Sequence, residues 1–254
     1  MAYPILEHRY CNGSIYISPI KNSFHIDNLT KVKLAVILFD AKLDEIMNKK
    51  SINSIGGFKS GIDYHPYYVN DNILFVNSFL GGPNAAGLME ELSAIGIKHF
   101  ISFGGAGSIS KDFYDQYLVV NYALRDEGTS YHYIKPDRYV SLDQHLKELT
   151  MRFMDMKGID YTKGNVWTTD AYYTESESLI FQRRNENILA VDMECSTWAA
   201  VAKAKQLSFC QVLFCTDYHS SGCWKKVKNR NEKREFTTKL AIECAENLVK
   251  QLHD

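Results

Sequence analysis

The stretch GGPNAAGLMEELSAIGIKHFISFGGAGSI, residues 81–109, holds the pattern that decides the fold. Residues 83–96 place apolar side chains at helical spacing, with Pro83 near the start and Gly96 at the end, which predicts a helix. The run HFISFG at 99–104 lacks the alternation of a half-exposed strand, and such runs are typical of strands covered on both faces. A helix followed directly by a buried strand indicates an α/β protein.

Further buried runs and helical periods continue this alternation along the chain. The runs lie at 33–39, 73–79, 117–123, 188–191 and 209–215, and the helical periods at 142–156, 194–206 and 232–252. Their order predicts a three-layer α/β sandwich in which helices flank a central mixed, mostly parallel twisted sheet. The glycine-containing polar stretch 48–70 is expected to form loop and hairpin.

Composition limits the classes of partner. The 254 residues with 45 % apolar content can bury one sizeable core, so one domain over 1–254 is expected, with 1–23 as an N-terminal extension. The formal charge of -1 gives no broad basic face for nucleic acid. The chain lacks a run of about 18 apolar residues and a signal-peptide pattern, so we expect no membrane partner and a cytoplasmic location. Six scattered cysteines are expected to be reduced thiols, and no metal site is predicted.

Three glycines follow the buried strand at 99–104. Backbone N–H groups of Gly104, Gly105 and Gly107 can form an anion-binding nest, although a plain tight turn has the same pattern. The GGxG spacing and the poor helix after it do not fit the dinucleotide-binding fingerprint.

Glu194 begins the predicted helix 194–206 directly after a buried run. Its carboxylate is either a partner of the helix dipole or a ligand group, since a buried carboxylate needs partners and two vicinal hydroxyls would satisfy both oxygens. Met193 beside it has the ordinary interpretation of core packing.

Asp217 follows the buried run 209–215, at the end of a strand where open α/β sheets collect ligands. It is either a turn cap or a carboxyl group that donates to a ring nitrogen. Arg230 lies in a charged run, which is either a solvated face or a source of charge beside Asp217.

Four motifs occur in a fixed order: GGPNAAGLMEELSAIGIKHFISFGGAGSI, GNVWTTDAYY, AVDMECSTWAAVA and FCTDYHS. From about residue 24 onward the chain resembles the purine nucleoside phosphorylase and uridine phosphorylase family. The resemblance implies a nucleotide-salvage pentosyltransferase that cleaves a purine nucleoside with phosphate as co-substrate, no other cofactor, and ribose 1-phosphate as product. It also implies a homo-oligomer, either a dimer or a hexamer built as a trimer of dimers.

The resemblance assigns roles at the sugar and the base. Glu194 would bind the ribose 2′ and 3′ hydroxyls, and Met193 would pack under the sugar. The 5′ hydroxyl would be contacted by a histidine from the neighbouring subunit, at position His25. At the base, the resemblance implies a catalytic role for Asp217 at N7, with help from Arg230 or its rival Arg234, and base contacts from Tyr172 and Val191.

The phosphate site departs from the family pattern. The family's GDPxR turn reads FDAKLDE here, with Phe39 in place of the glycine and Lys42 as the available replacement for the arginine. Lys59 stands where the neighbouring subunit lends an arginine, and Ser102 replaces another. The resemblance therefore implies a degenerate phosphate site composed of Lys42, Lys59, Gly104, Gly105 and Arg125, with the lysines lacking the bidentate fork of arginine.

Three alternatives stay open. One is a nucleosidase that uses water activated by Asp40, Asp44 or Glu45, which resembles the hydrolases of the same family. Another is a catalytically silent nucleoside-binding protein. A third is a uridine phosphorylase, because Gln182 and Arg183 loosely resemble the family's uracil-reading pair.

Overall fold

Strands and helices alternate along the chain as the apolar runs predict. A computed structural model describes residues 4–6, 19, 29–220 and 223–252. The strands are β1 (Leu34–Leu38), β2 (Ser54–Ser60), β3 (Asp63–Asn70), β4 (Ile73–Asn77), β5 (His99–Ser108), β6 (Tyr117–Asp126), β7 (Tyr139–Ser141), β8 (Tyr161–Thr169), β9 (Ile188–Asp192), β10 (Ser208–Ser220) and β11 (Cys223–Lys226). The helices are α1 (Leu43–Lys49), α2 (Gly82–Ala94), α3 (Gln144–Lys157), α4 (Glu177–Asn185), α5 (Cys195–Lys205) and α6 (Arg230–Leu248).

All eleven strands belong to one mixed sheet with helices packed on it, which confirms the single-domain α/β class. The parallel pairs lie in the middle of the sheet: β1 with β4 and β5, β5 with β10, and β8 with β6 and β9. Within the described residues five strand pairs are parallel and six are antiparallel. The sheet is therefore mixed: its longest ladders, β5–β10 and β6–β8, are parallel, and hairpins and the junctions β5–β9 and β10–β6 add shorter antiparallel pairs.

One half of the sheet closes on itself. The pairings β5–β10, β10–β6, β6–β8, β8–β9 and β9–β5 form a ring, and β1, β4, β3 and β2 extend from β5 as an open sheet. The ring brings strands together that are far apart in the sequence. The prediction of a three-layer sandwich with a twisted sheet does not include this ring.

The junction of this ring lies at the glycines of β5. The strand continues to Ser108, so Gly104, Gly105 and Gly107 belong to it and do not form the turn that the sequence suggests. Gly107 pairs with Val191 of β9 and with Asp217 of β10. A Cβ atom on Gly107 would lie 2.9 Å from Val191 Cγ1 and 3.2 Å from Asp217 Oδ2, so the junction has no room for a side chain.

Helix α5 is buried over its first eight residues, Cys195–Ala202. Alanines and other small side chains allow it to pack closely against α2, and the indole of Trp198 donates a hydrogen bond of 3.0 Å to the carbonyl of Ala85 in that helix. The first turn of α5 consequently lies inside the protein rather than at its surface. A carboxylate at this turn is therefore removed from bulk water.

Some elements escape the sequence patterns. The strand β8 and the helices α1 and α4 are too polar or too short to produce a clear period. The prediction of loop and hairpin over 48–70 is confirmed, since β2 and β3 pair in antiparallel fashion across Gly61, whose φ is +62°. The expected N-terminal extension, 1–23, and the predicted residue His25 lie mostly or wholly outside the described residues.

Four described cysteines (Cys195, Cys210, Cys215 and Cys244) are buried and Cys223 is exposed, and all five are free thiols. None of the helices within the described ranges is both long enough and apolar enough to cross a membrane.

The packing at the ring junction yields a stability prediction. In Gly105→Ala the new Cβ would lie 2.3 Å from Thr216 Cγ2, so either Thr216 rotates and loses the hydrogen bonds of its hydroxyl or β5 and β10 separate, and we expect a loss of about 1–3 kcal/mol in the free energy of unfolding. Gly87→Ala in α2 is the matched control, because its Cβ meets Phe58 at an ordinary 3.5 Å and alanine favours the helix by about 1 kcal/mol. Chemical denaturation measures both; equal stability of the two variants would contradict this account of the junction.

Candidate active site

A cleft of about 540 Å³ opens at the junction of β5, β9 and β10. It is lined by residues that the sequence singles out and by others that it does not. The first group is Gly105, Tyr172, Val191, Met193, Glu194 and Asp217. The second includes Thr169, Glu175, Thr216, His219 and Trp224.

The carboxylates of AVDMEC have different surroundings. Asp192 Oδ1 accepts a hydrogen bond from Thr168 Oγ1 at 2.7 Å, and its Oδ2 accepts from the Cys195 N–H at 2.9 Å and from Gln211 Nε2 at 3.3 Å. Asp192 thus satisfies the first turn of α5 and links it to two strands. Both of its carboxylate oxygens therefore accept hydrogen bonds from within the protein.

Glu194 is 5 % exposed, and its Oε1 accepts a hydrogen bond of 2.7 Å from the N–H of Gly81. Gly81 can present this N–H because its φ of 91° lies in the region that favours glycine. Burial, together with the nearby charge of Asp192, raises the pKa of Glu194. A ligand that donates hydrogen bonds to this carboxylate would offset the cost of its burial.

Asp217 receives a donor on each oxygen. Thr216 Oγ1 donates to Oδ1 at 2.7 Å, and Trp224 Nε1 donates to Oδ2 at 2.7 Å from β11. Arg230, at the start of α6, forms no ion pair or hydrogen bond with Asp217, and neither does Arg234. In this structure an indole N–H holds the carboxylate of Asp217, and the predicted help from Arg230 or Arg234 stays a prediction.

Beyond Asp217 lies a pair that the sequence does not reveal. His219 Nε2 is 3.2 Å from Glu175 Oε2, and both side chains are largely buried. Burial, with the charge of Asp217, raises the pKa of Glu175 to about 7, and burial lowers the pKa of His219. The sequence holds a signal for His219, because residues two apart on a strand lie on the same face and His219 is two residues after Asp217. It holds no such signal for Glu175, which lies in a polar run typical of the surface.

The predicted phosphate site is not assembled in the described residues. The ring of Phe39 lies 3.3 Å from where a Cβ of Gly104 would stand, so an apolar side chain covers this glycine. Lys42 forms an exposed ion pair of 2.9 Å with Glu235. Gly104 and Gly105 lack the left-handed backbone conformation that a nest of N–H groups requires.

Arg125 also differs from its prediction. Its guanidinium is 3 % exposed, donates to Ser130 Oγ at 2.9 Å and to the Lys135 carbonyl at 2.8 Å, and lies over the ring of Tyr131. It orders the loop that contains these residues and does not line the cleft. Lys59 is exposed on β2, and its predicted role at a neighbouring subunit stays a prediction.

Residues predicted to act in a nucleosidase or a uridine phosphorylase make contacts outside the cleft. Asp40 is 5 % exposed and accepts hydrogen bonds from the Lys42 N–H at 3.0 Å and Thr238 Oγ1 at 2.5 Å. Glu45 pairs with Lys49 on the surface. Arg183 pairs with Asp126 and Glu186, and Gln182 donates to Glu186, so the suggested uracil-reading pair is not at the cleft.

Fold and site together define an α/β protein whose ring junction presents the carboxylates of Glu194 and Asp217 to a cleft. Residues 33–253 match the family model described as the phosphorylase superfamily, and the chain belongs to that superfamily. This confirms the resemblance carried by the four motifs.

Relatives in this superfamily carry several different names. A guanosine phosphorylase of Halorubrum lacusprofundi is 29% identical over 143 residues, which are 55% of this chain and 58% of that protein. A purine nucleoside phosphorylase, DeoD-type 1, of Shewanella oneidensis is 22% identical over 214 residues, 83% of this chain and 88% of that protein.

Solved structures share the fold. An AMP nucleosidase from Bacteroides thetaiotaomicron has a TM-score of 0.69 at 22% identity, covering 87% of this chain and 90% of its own. A uridine phosphorylase from Vibrio fischeri has a TM-score of 0.69 at 21% identity, covering 86% and 91%. At these identities the likeness shows the fold alone.

The raised pKa of Glu175 predicts a pH-dependent difference in stability. The folded state holds the proton of Glu175 up to about pH 7, whereas an unfolded glutamate releases it near its ordinary pKa of 4.5. Stability from this group is therefore lost as pH rises between these values. We expect Glu175→Gln to gain free energy of unfolding relative to wild type between pH 5 and pH 7.5.

Chemical denaturation at the two pH values measures this gain. Glu177→Gln, an exposed neighbour on α4, is the control and should show a constant difference from wild type. A pH-independent difference for Glu175→Gln would contradict the raised pKa.

Proposed function

We propose that this protein cleaves the N-glycosidic bond of a purine nucleoside in the cleft. The observation that carries the proposal is the convergence of Glu194, after β9, and Asp217, on β10, at the glycine junction of β5. In the roles that the family resemblance implies, Glu194 binds the ribose hydroxyls, Met193 packs under the sugar, and Tyr172 and Val191 contact the base. All five residues line the cleft.

The proposed reaction is dissociative. Positive charge develops at C1′ while Glu194 holds the sugar, and the C1′–N9 bond breaks with its electron pair leaving on the base. The carboxyl group of Asp217 donates its proton to N7 of the departing base, and the acceptor that adds at C1′ releases a proton that restores the carboxyl group when the acceptor is water. Thr216 and Trp224 fix the carboxylate of Asp217 for this purpose. A carboxylate whose orientation is already fixed needs no reorganisation during the reaction, which is the source of its catalytic value.

We propose water as the acceptor of the sugar. The apolar ring of Phe39 covers Gly104, and the charge of Lys42 is neutralised by Glu235. Arg125 donates its hydrogen bonds to its own loop. A phosphate dianion needs uncompensated cations or free N–H donors, whereas a water molecule needs only a few hydrogen-bond partners.

Phosphorolysis is the second candidate. It is favoured by Lys59, whose exposure on β2 leaves it accessible to a neighbouring copy in a homo-oligomer, and by the relatives that are named phosphorylases. In this version Lys59 from the next subunit completes the anion site. The products are then free base and ribose 1-phosphate.

The acceptor is tested by chromatography of bases released from purine and pyrimidine nucleosides, with and without phosphate. We expect release from purine nucleosides that does not need phosphate and yields free ribose. Release that requires phosphate and yields ribose 1-phosphate would replace water with phosphate as the acceptor. Binding without any release would identify a silent nucleoside-binding protein and overturn the proposed cleavage.

The role of Asp217 is tested by Asp217→Asn. We expect turnover to fall by about a hundredfold or more with a small change in KM, because the interaction strengthens as the base departs. Asp71→Asn, at an exposed turn where φ is 51°, is the matched control with unchanged turnover.

The companion variant Trp224→Phe keeps the ring and removes the N–H donor. We expect turnover to fall by about tenfold or more, which is the usual effect of losing one hydrogen bond to a charged group. The double variant should be no worse than Asp217→Asn, since both changes act through one carboxylate. Additive losses would show that Trp224 does not act through Asp217.

A further inference from the structure

The cleft extends past Asp217 along β10. Asp217 and His219 are two residues apart on this strand, so their side chains lie on the same face and are separated by roughly 6.8 Å of strand rise. Glu175 approaches His219 from the segment before α4, and both line the cleft. With N7 of a purine at Asp217, the next group along the strand faces the six-membered ring of the base.

The fold itself gives no evident reason for this pair. The side chains of His219 and Glu175 are 19% and 12% exposed, and burying two ionisable groups is costly unless something is gained. Arg184, which lies outside the cleft lining, donates a 2.9 Å hydrogen bond to the carbonyl of His219 and so fixes this part of β10. The position of His219 is thus maintained by a residue that needs no ligand.

The protonation of the pair suits the recognition of a base. The raised pKa of Glu175 and the lowered pKa of His219 both favour the neutral form of the group, and a neutral carboxyl group and a neutral imidazole each carry one donor and at least one acceptor. The pair therefore offers a donor and an acceptor side by side. Positions 1 and 6 of a 6-oxopurine or a 6-aminopurine present the complementary arrangement, one donor beside one acceptor.

We propose that Glu175 and His219 are specificity-determining residues that bind positions 1 and 6 of the purine ring. The inference rests on the proposed function, because that function places the base in the cleft. It predicts discrimination against unsubstituted purine, which lacks the group at position 6. A site built to hydrogen-bond such a group rejects analogues without it, since its own buried polar groups are then left unpaired.

Equilibrium binding of the free bases tests the inference without requiring catalysis. Calorimetry with hypoxanthine, adenine and unsubstituted purine is applied to wild type, Glu175→Gln, His219→Gln and the control Glu177→Gln. We expect wild type and the control to prefer hypoxanthine or adenine over purine by about tenfold or more. In both cleft variants this preference should fall toward unity, while affinity for unsubstituted purine changes by less than about threefold.

Circular dichroism establishes whether each variant is folded. If Glu175→Gln does not fold, His219→Gln alone tests the inference. An unchanged preference in the folded variants, or a wild type that binds all three bases equally or not at all, would overturn the inference. Nucleoside cleavage is measured on the same samples. Base preference that depends on the pair, without cleavage of any nucleoside, would support the inference and overturn the proposed function.

Discussion

The structure depends on the contact that β5 makes with β9 and β10 at the same point. Gly107 pairs with Val191 on one side and Asp217 on the other, and the space around it excludes even a methyl group. This close approach closes the ring of strands and sets the distance between the two walls of the cleft. Because Glu194 follows β9 directly and Asp217 belongs to β10, the same contact places these two carboxylates in one cavity.

The two acids at the buried start of α5 have different surroundings. Asp192 accepts hydrogen bonds from a strand, the helix and a second strand, and these bonds partly offset the burial that raises its pKa. Glu194 receives an N–H from Gly81 and faces the cleft. A helix that buries its first turn must satisfy the free N–H groups there. Asp192 performs this task, which leaves Glu194 available for a ligand.

The two ends of the cleft differ in chemistry. Toward Gly104 the expected anion site holds the ring of Phe39, Lys42 is paired with Glu235, and Arg125 is buried in its own loop, whereas Lys59 is exposed on β2. Toward β11 the cleft is rich in polar groups, with Asp217, His219 and Glu175 in succession. Hydrogen-bonding groups are thus concentrated at the β11 end of the cleft. This contrast underlies the proposal of water as the acceptor and of Glu175 with His219 as the base-reading pair.

The sequence by itself determined the α/β class, the superfamily, and the principal helices and buried strands, and it singled out Glu194 and Asp217, which the fold brings to one cleft. These properties are encoded locally, by apolar periodicity and by motifs of fixed spacing. Only the tertiary structure decided that the sheet closes into a ring, that Arg125 and Lys42 are engaged elsewhere, and that Glu175 meets His219. Side chains from distant segments become neighbours only after the strands have paired, and sequence periodicity carries no information about which partner each charge will find.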